Sequence, residues 1–176
     1  IDSLDPALYR DRVSETVVRN IFDGLVTRTT DMEIVPELAE SWENPSPTVW
    51  VFKLRKGVTF HNGDPFTADD VVFSFERILK PGSIDGQSSP RTGMVGPMER
   101  VEKLDDYTVK FVFKEPWPIF LRILPHHQMV PKKYIEEHGS AYFAQNPVGT
   151  GPFRFVQGSL DEEVVQGLKD NFMGEC

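Results

Sequence analysis

At 176 residues, 39% hydrophobic and 26% charged, the chain has the composition of a globular protein and the length for one domain, or one and a half. Its net charge of -8 argues against nucleic acid as a partner, because phosphate backbones select basic surfaces. No run of about 18 apolar residues is present to span a membrane, and no basic stretch leads into an apolar one, so a signal peptide is absent or already removed.

Asp5-Pro6 opens a loop that runs to Ser14, placed to cap a helix over 15–22 whose Val17, Val18, Ile21 and Phe22 recur at helical spacing. Asp23-Gly24 stops it, and a strand follows over 25–29. Pro36 fits the first turn of a brief helix over 37–41. Residues 48–54 alternate, with Trp50, Phe52 and Leu54 on one side and Val49, Val51 and Lys53 on the other, which predicts a strand. A turn at Arg55-Lys56-Gly57 leads to a returning strand over 58–61, and Asn62-Gly63 is a strong turn signal.

Thr67, with Asp70 three residues on, starts a helix carrying Val71, Val72, Phe75, Ile78 and Leu79 as its apolar stripe, and Lys80-Pro81-Gly82 ends it. The aperiodic 80–97 stretch reads as a functional or mobile loop. Two strands, 98–104 and 107–113, are joined by a hairpin at Asp105-Asp106. Residues 119–124 read as one or two helical turns, Met129-Val130 as a short strand, 131–139 as a helix, 141–144 as a further turn and 153–156 as a strand. Strands fall in neighbouring pairs with helices between them. The fold class is therefore α+β, with a mixed, mostly antiparallel sheet and flanking helices.

Chemistry is sparse. No Ser-His-Asp set, paired His-Glu motif or nucleophile elbow is present, so no catalytic residue, metal site or cofactor is expected. Gly149-Thr150-Gly151 lacks the Lys-Ser/Thr ending of a phosphate loop, and its glycines are expected to serve backbone conformation. His61, at a strand end before Asn62-Gly63, reads as a surface residue. Cys176, the sole cysteine, excludes an intrachain disulfide and reads as a solvated thiol, which leaves the compartment open. Thirteen Phe, four Tyr, three Trp and 14 Pro suit a β-containing domain with many turns.

The order of motifs resembles the N-terminal part of the family-five solute-binding proteins of bacterial ABC importers, the group that binds peptides, nickel complexes and oligosaccharides. The resemblance rests on LDP at 4–6, IFDGLV at 21–26, IVPELAESWE at 34–43 and FKLRKGVTFHNGDPFTADDVVFSFERI at 52–78, followed by VEKLDDYTVKFVFKEP at 101–116, MVPKKY at 129–134 and PVGTGPF at 147–153. It implies part of a two-lobed periplasmic-binding-protein-like fold that closes on its ligand. Residues 1–35 would belong to the first lobe, 36–147 to a small α+β domain, and 148–157 to the crossover back. The opposing lobe would lie outside these residues. Residues 158–176 depart from the family pattern as an acidic tail, in which Leu160, Val164 and Leu168 share one helical face. An engineered junction, a natural truncated or diverged end and a segment joined from elsewhere are all open readings of it.

The resemblance also implies a ligand cleft. The loop after LDP, residues 7–13, would run along it with Tyr9, Arg10 and Arg12, whose guanidinium groups suit a carboxylate or phosphate. Arg91 sits where family members approach the ligand, and the stretch at His126 and His127 supplies ligand-facing side chains in them. Adjacent histidines in a strand point to opposite faces and cannot chelate one metal. The implied function is extracytoplasmic or periplasmic binding of a peptide-like solute, with an ABC importer membrane permease as partner. A standalone structural or interaction fragment with no ligand of its own is the alternative, and a hydrolase the third. Lobe-facing residues left open in a fragment, Ile21, Phe22, Phe153 and Phe155 among them, are expected to favour a homodimer.

Overall fold

A computed structural model describes residues 3–158 and 164–168. Helix α1 (Arg12–Ile21) begins one turn earlier than its sequence suggests. Asp11, not Ser14, is the cap, and its carboxylate accepts from Ser14 N at 2.8 Å. A two-stranded ribbon, β1 (Val26–Arg28) with β2 (Ile34–Pro36), leads into a four-stranded sheet. That sheet contains β3 (Ala39–Ser46), β4 (Val49–Leu54), β5 (Met98–Asp105) and β6 (Thr108–Phe113), in the order β3-β4-β6-β5. Every ladder among the described residues is antiparallel, as the α+β reading expects.

Three predicted elements differ in the structure. Of residues 37–41, the last three enter β3 instead of a helix, because Ala39 pairs with Leu54 and Trp42 with Phe52. Residues 58–61 form only an isolated bridge, Thr59 with Pro65, since β4 already has β3 and β6 on its two edges. Met129 and Val130 belong to no strand and follow the isolated bridge from Gly24 to Gln128.

Helix α2 (Ala68–Leu79) lies against β5 and β6. The Thr67 amide donates to the Asp70 carboxylate at 2.8 Å, so the predicted cap is in place. Phe75 meets Phe111 edge-on at 5.0 Å, and Phe52, Phe113 and Phe120 complete a buried aromatic cluster. Of the short helices, α3 (Phe120–Ile123) brings Phe120 onto the same cluster, while α4 (Lys132–His138) contacts α2 and α5 (Ser140–Gln145) contacts α4. A second buried cluster joins Val18, Ile21 and Phe22 to Ile135 and Phe143. Ile21 and Phe22 are therefore covered within one copy, against the expectation that they lie open and drive pairing.

The chain returns through 149–151 to β7 (Phe153–Gly158), which pairs with β8 (Val164–Leu168). The amphipathic helix expected of the tail is a strand over 164–168, which β-branched Val164 and Val165 favour. Leu160 and Cys176 lie outside the described residues. The return is tight: Gly151 N donates to Ile21 O at 2.9 Å, and a Cβ on Gly149 would sit 2.0 Å from the same oxygen. Close approach, not positive φ, requires glycine there. His61 is half-buried and clamps this turn, correcting its surface reading. Its Nδ1 accepts from Gly149 N at 3.3 Å, and its Nε2 lies 2.9 Å from Gly151 O.

Candidate functional site

The LDP motif sets up the site through a charge. Asp5 is fully buried, and its carboxylate accepts from Ala7 N at 2.9 Å, which folds the turn. Arg77 of α2 donates to both carboxylate oxygens, at 2.9 and 2.7 Å. The fork geometry orients the loop, and the pairing satisfies two charges that neither could carry alone in the interior. The loop then delivers Tyr9 inward and Arg10 outward.

A second loop crosses this one. Ser89 Oγ donates to Ala7 O at 2.6 Å and accepts from Arg91 N at 3.1 Å. The Arg91 guanidinium lies 4.0 Å from the Tyr9 ring centroid, a cation–π stack, and its Nη2 donates to His126 O at 2.5 Å. Tyr9 Oη donates to Gln128 Oε1 at 3.3 Å. Burial raises the Tyr9 pKa, against the opposing pull of Arg91, so the phenol stays neutral. Between the two loops opens a cleft of about 370 Å³, lined by Tyr9, Arg10, Pro90, Arg91 and Met94.

The six candidate residues divide. Tyr9, Arg10 and Arg91 line the cleft together. His126 and His127 sit behind it. The former ends a 3-10 turn, not a strand, and directs Nδ1 to Glu15 Oε1 at 2.8 Å. The latter is 4% exposed, with Nε2 3.2 Å from Met94 O and its ring tilted against Phe75. Burial, then the charges of Arg91 and His126, pushes the His127 pKa down to about 3, so the ring is neutral. Arg12 is exposed at the start of α1 and is not part of the cleft lining. Ser89, Met94 and Gln128 complete the arrangement without having been legible as site residues. Their signal lies in contacts between residues 33 to 119 positions apart.

Nearby, Glu37 accepts from Gly24 N at 2.7 Å beside Asp23, which in turn accepts from Thr150 Oγ1 at 2.9 Å. Burial first, then the Asp23 charge, raises the Glu37 pKa to about 7. Among the described residues no cluster of His, Cys, Asp or Glu is arranged to hold a metal, and no helix is long and apolar enough to cross a membrane.

The cleft thus holds cation and aromatic ring together. Comparison with known proteins gives the family. Residues 33–174 match the model for bacterial extracellular solute-binding proteins, family 5 middle. The chain belongs to this family. It is 29% identical to the periplasmic oligopeptide-binding protein OppA of Escherichia coli K12, over 94% of this chain and 33% of that protein. It superposes with a TM-score of 0.86 on the periplasmic binding protein DppA from Helicobacter pylori in complex with the peptide STSA, at 34% identity, covering 98% of this chain and 38% of that one. NikZ from Campylobacter jejuni in complex with Ni(L-His) gives a TM-score of 0.85 at 31% identity, over 99% and 35% of the two chains. These relatives are binding proteins. The chain spans about a third of the length of each.

Proposed function

We propose that this chain supplies one wall of an extracytoplasmic receptor that captures a peptide-like solute and delivers it to an ABC importer. The observation that carries the reading is the cleft where Arg91 stacks on Tyr9 beneath the exposed Arg10. Arg10 presents a free-facing cation to a ligand carboxylate, and Met94 a soft apolar contact. Arg91 and His127 hold the wall in shape, His126 braces it against Glu15 of α1, and Arg12 acts from the rim. Residues 1–35 form part of the first lobe, 36–147 the small domain and 148–157 the crossover. The packing of Gly151 on Ile21 and the confinement of the four-stranded sheet to 39–113 support that division. Residues 158–176 continue beyond the crossover as a divergent segment.

Sequence outside these 176 residues provides the opposing wall, and the ligand shifts an open–closed equilibrium by bridging both. Pairing of two copies would rest on β7, where Val156 is 56% exposed. Calorimetry of this chain with short peptides tests the one-wall reading. Affinity weaker than micromolar is expected, and submicromolar binding by the chain alone overturns it.

A further inference from the structure

Two deeply buried nitrogens, Arg77 Nε and His127 Nδ1, make no hydrogen bond to another protein group. Their residues are 2% and 4% exposed, and both line one small cavity beneath Pro6 and Ala7. The two atoms are chemically complementary. An arginine Nε–H only donates. His127 Nε2 faces the Met94 carbonyl, which only accepts, so Nε2 carries the ring proton and Nδ1 is an acceptor. The cavity leaves about 10 Å³ for the centre of a water-sized sphere, room for a single water. Other polar groups on its wall are engaged. Gln128 donates to Pro125 O and accepts from Tyr9, while Ser74 Oγ donates to Asp70 O and accepts from Val130 N, keeping one lone pair.

We infer that the cavity is a built hydration site, in which one ordered water accepts from Arg77 Nε–H and donates to His127 Nδ1, with Ser74 Oγ as its third partner. The water completes a polar chain from Asp5 through Arg77 and His127 to the Met94 carbonyl. That chain ties the loop bearing Tyr9 to the loop bearing Met94, the two sides of the proposed cleft. The inference stands on the buried geometry and survives if the cleft binds no peptide.

A crystal structure of the chain at about 1.5 Å tests it. One solvent peak within about 3.2 Å of both nitrogens is expected. Long-range ¹⁵N–¹H correlation of the unaltered protein should show His127 as the neutral Nε2–H tautomer, and in His127→Phe the peak should be lost. No peak, an Nδ1–H tautomer, a ring flipped to bond protein through both nitrogens, or a peak that persists in His127→Phe overturns the assignment. The tautomer measurement keeps the test open if the variant does not fold.

Discussion

Replacing Glu37 by Gln should tilt the stability profile relative to the native chain, in which Glu37 and His127 oppose one another. Two groups with oppositely perturbed pKa values overlap in range. His127 titrates near 3 in the folded chain against an ordinary 6.5. As pH falls through 6.5, the unfolded chain takes up a proton that the folded chain refuses, so stability falls with acidification. Glu37 titrates near 7 against an ordinary 4.5, so the folded chain keeps a proton that the unfolded chain releases. Its contribution is fully present below 4.5 and is lost as pH rises towards 7. Between pH 4.5 and 6.5 the two slopes, each up to about 1.4 kcal/mol per pH unit, oppose one another. Integrating each titration over that window gives roughly 2 kcal/mol of opposite sign. Glu37→Gln removes one arm, so its stability relative to the native chain should climb by about 2 kcal/mol from pH 4.5 to 6.5. His127→Gln, which keeps an amide for Met94 O, should decline by a similar amount over the same range. Urea denaturation followed by tryptophan fluorescence at constant ionic strength reads both, and titrations common to variant and native chain cancel in the difference. Parallel profiles for native chain and Glu37→Gln would refute burial beside Asp23 as the cause.

Arg77→Met strands the fully buried Asp5 carboxylate and should cost about 3–5 kcal/mol by equilibrium denaturation. A double variant with Asp5→Leu should recover part of that loss, and failure to recover any would deny the pair's coupling. Gly149→Ala forces a Cβ into the Ile21 carbonyl and should destabilise by about 3 kcal/mol, the upper end for overpacking. Gly57→Ala, at φ +77 with open space around it, should cost only about 1 kcal/mol in the same denaturation series. Phe120→Ala empties the centre of the aromatic cluster and should lower stability by about 3–5 kcal/mol, seen as a fall in Tm.

What could be read in advance follows from the range of the forces involved. The Thr67–Asp70 cap, the apolar stripe of α2 and the β5–β6 hairpin depend on neighbours in sequence, and each forms where its pattern lies. Residues 37–41 carry a helix-start signal, yet 39–41 join β3, where Ala39 pairs with Leu54 and Trp42 with Phe52. Residues 58–61 look like a strand, but β4, the strand they follow, already has β3 and β6 on its two edges. Local propensity ranks conformations of a segment, and the sheet decides among them.

The site shows the same division more sharply. The types of residue that meet at the cleft were legible, since Tyr9, Arg10 and Arg91 converge on it. What each does there was not. A guanidinium reads from sequence as a cation for a ligand, but Arg91 is 6% exposed and spends its charge on the Tyr9 ring and the His126 carbonyl. His127, chosen as a ligand contact, has its Nε2 turned to Met94 O and its ring against Phe75. Only Arg10 among the three cleft residues offers its charge outward. A sequence shows which side chains carry a charge or a donor, while burial and long-range partners decide whether any capacity is left for a solute. At this cleft most of that capacity is consumed in building it, so under the proposed reading the charge left to meet a solute is that of Arg10.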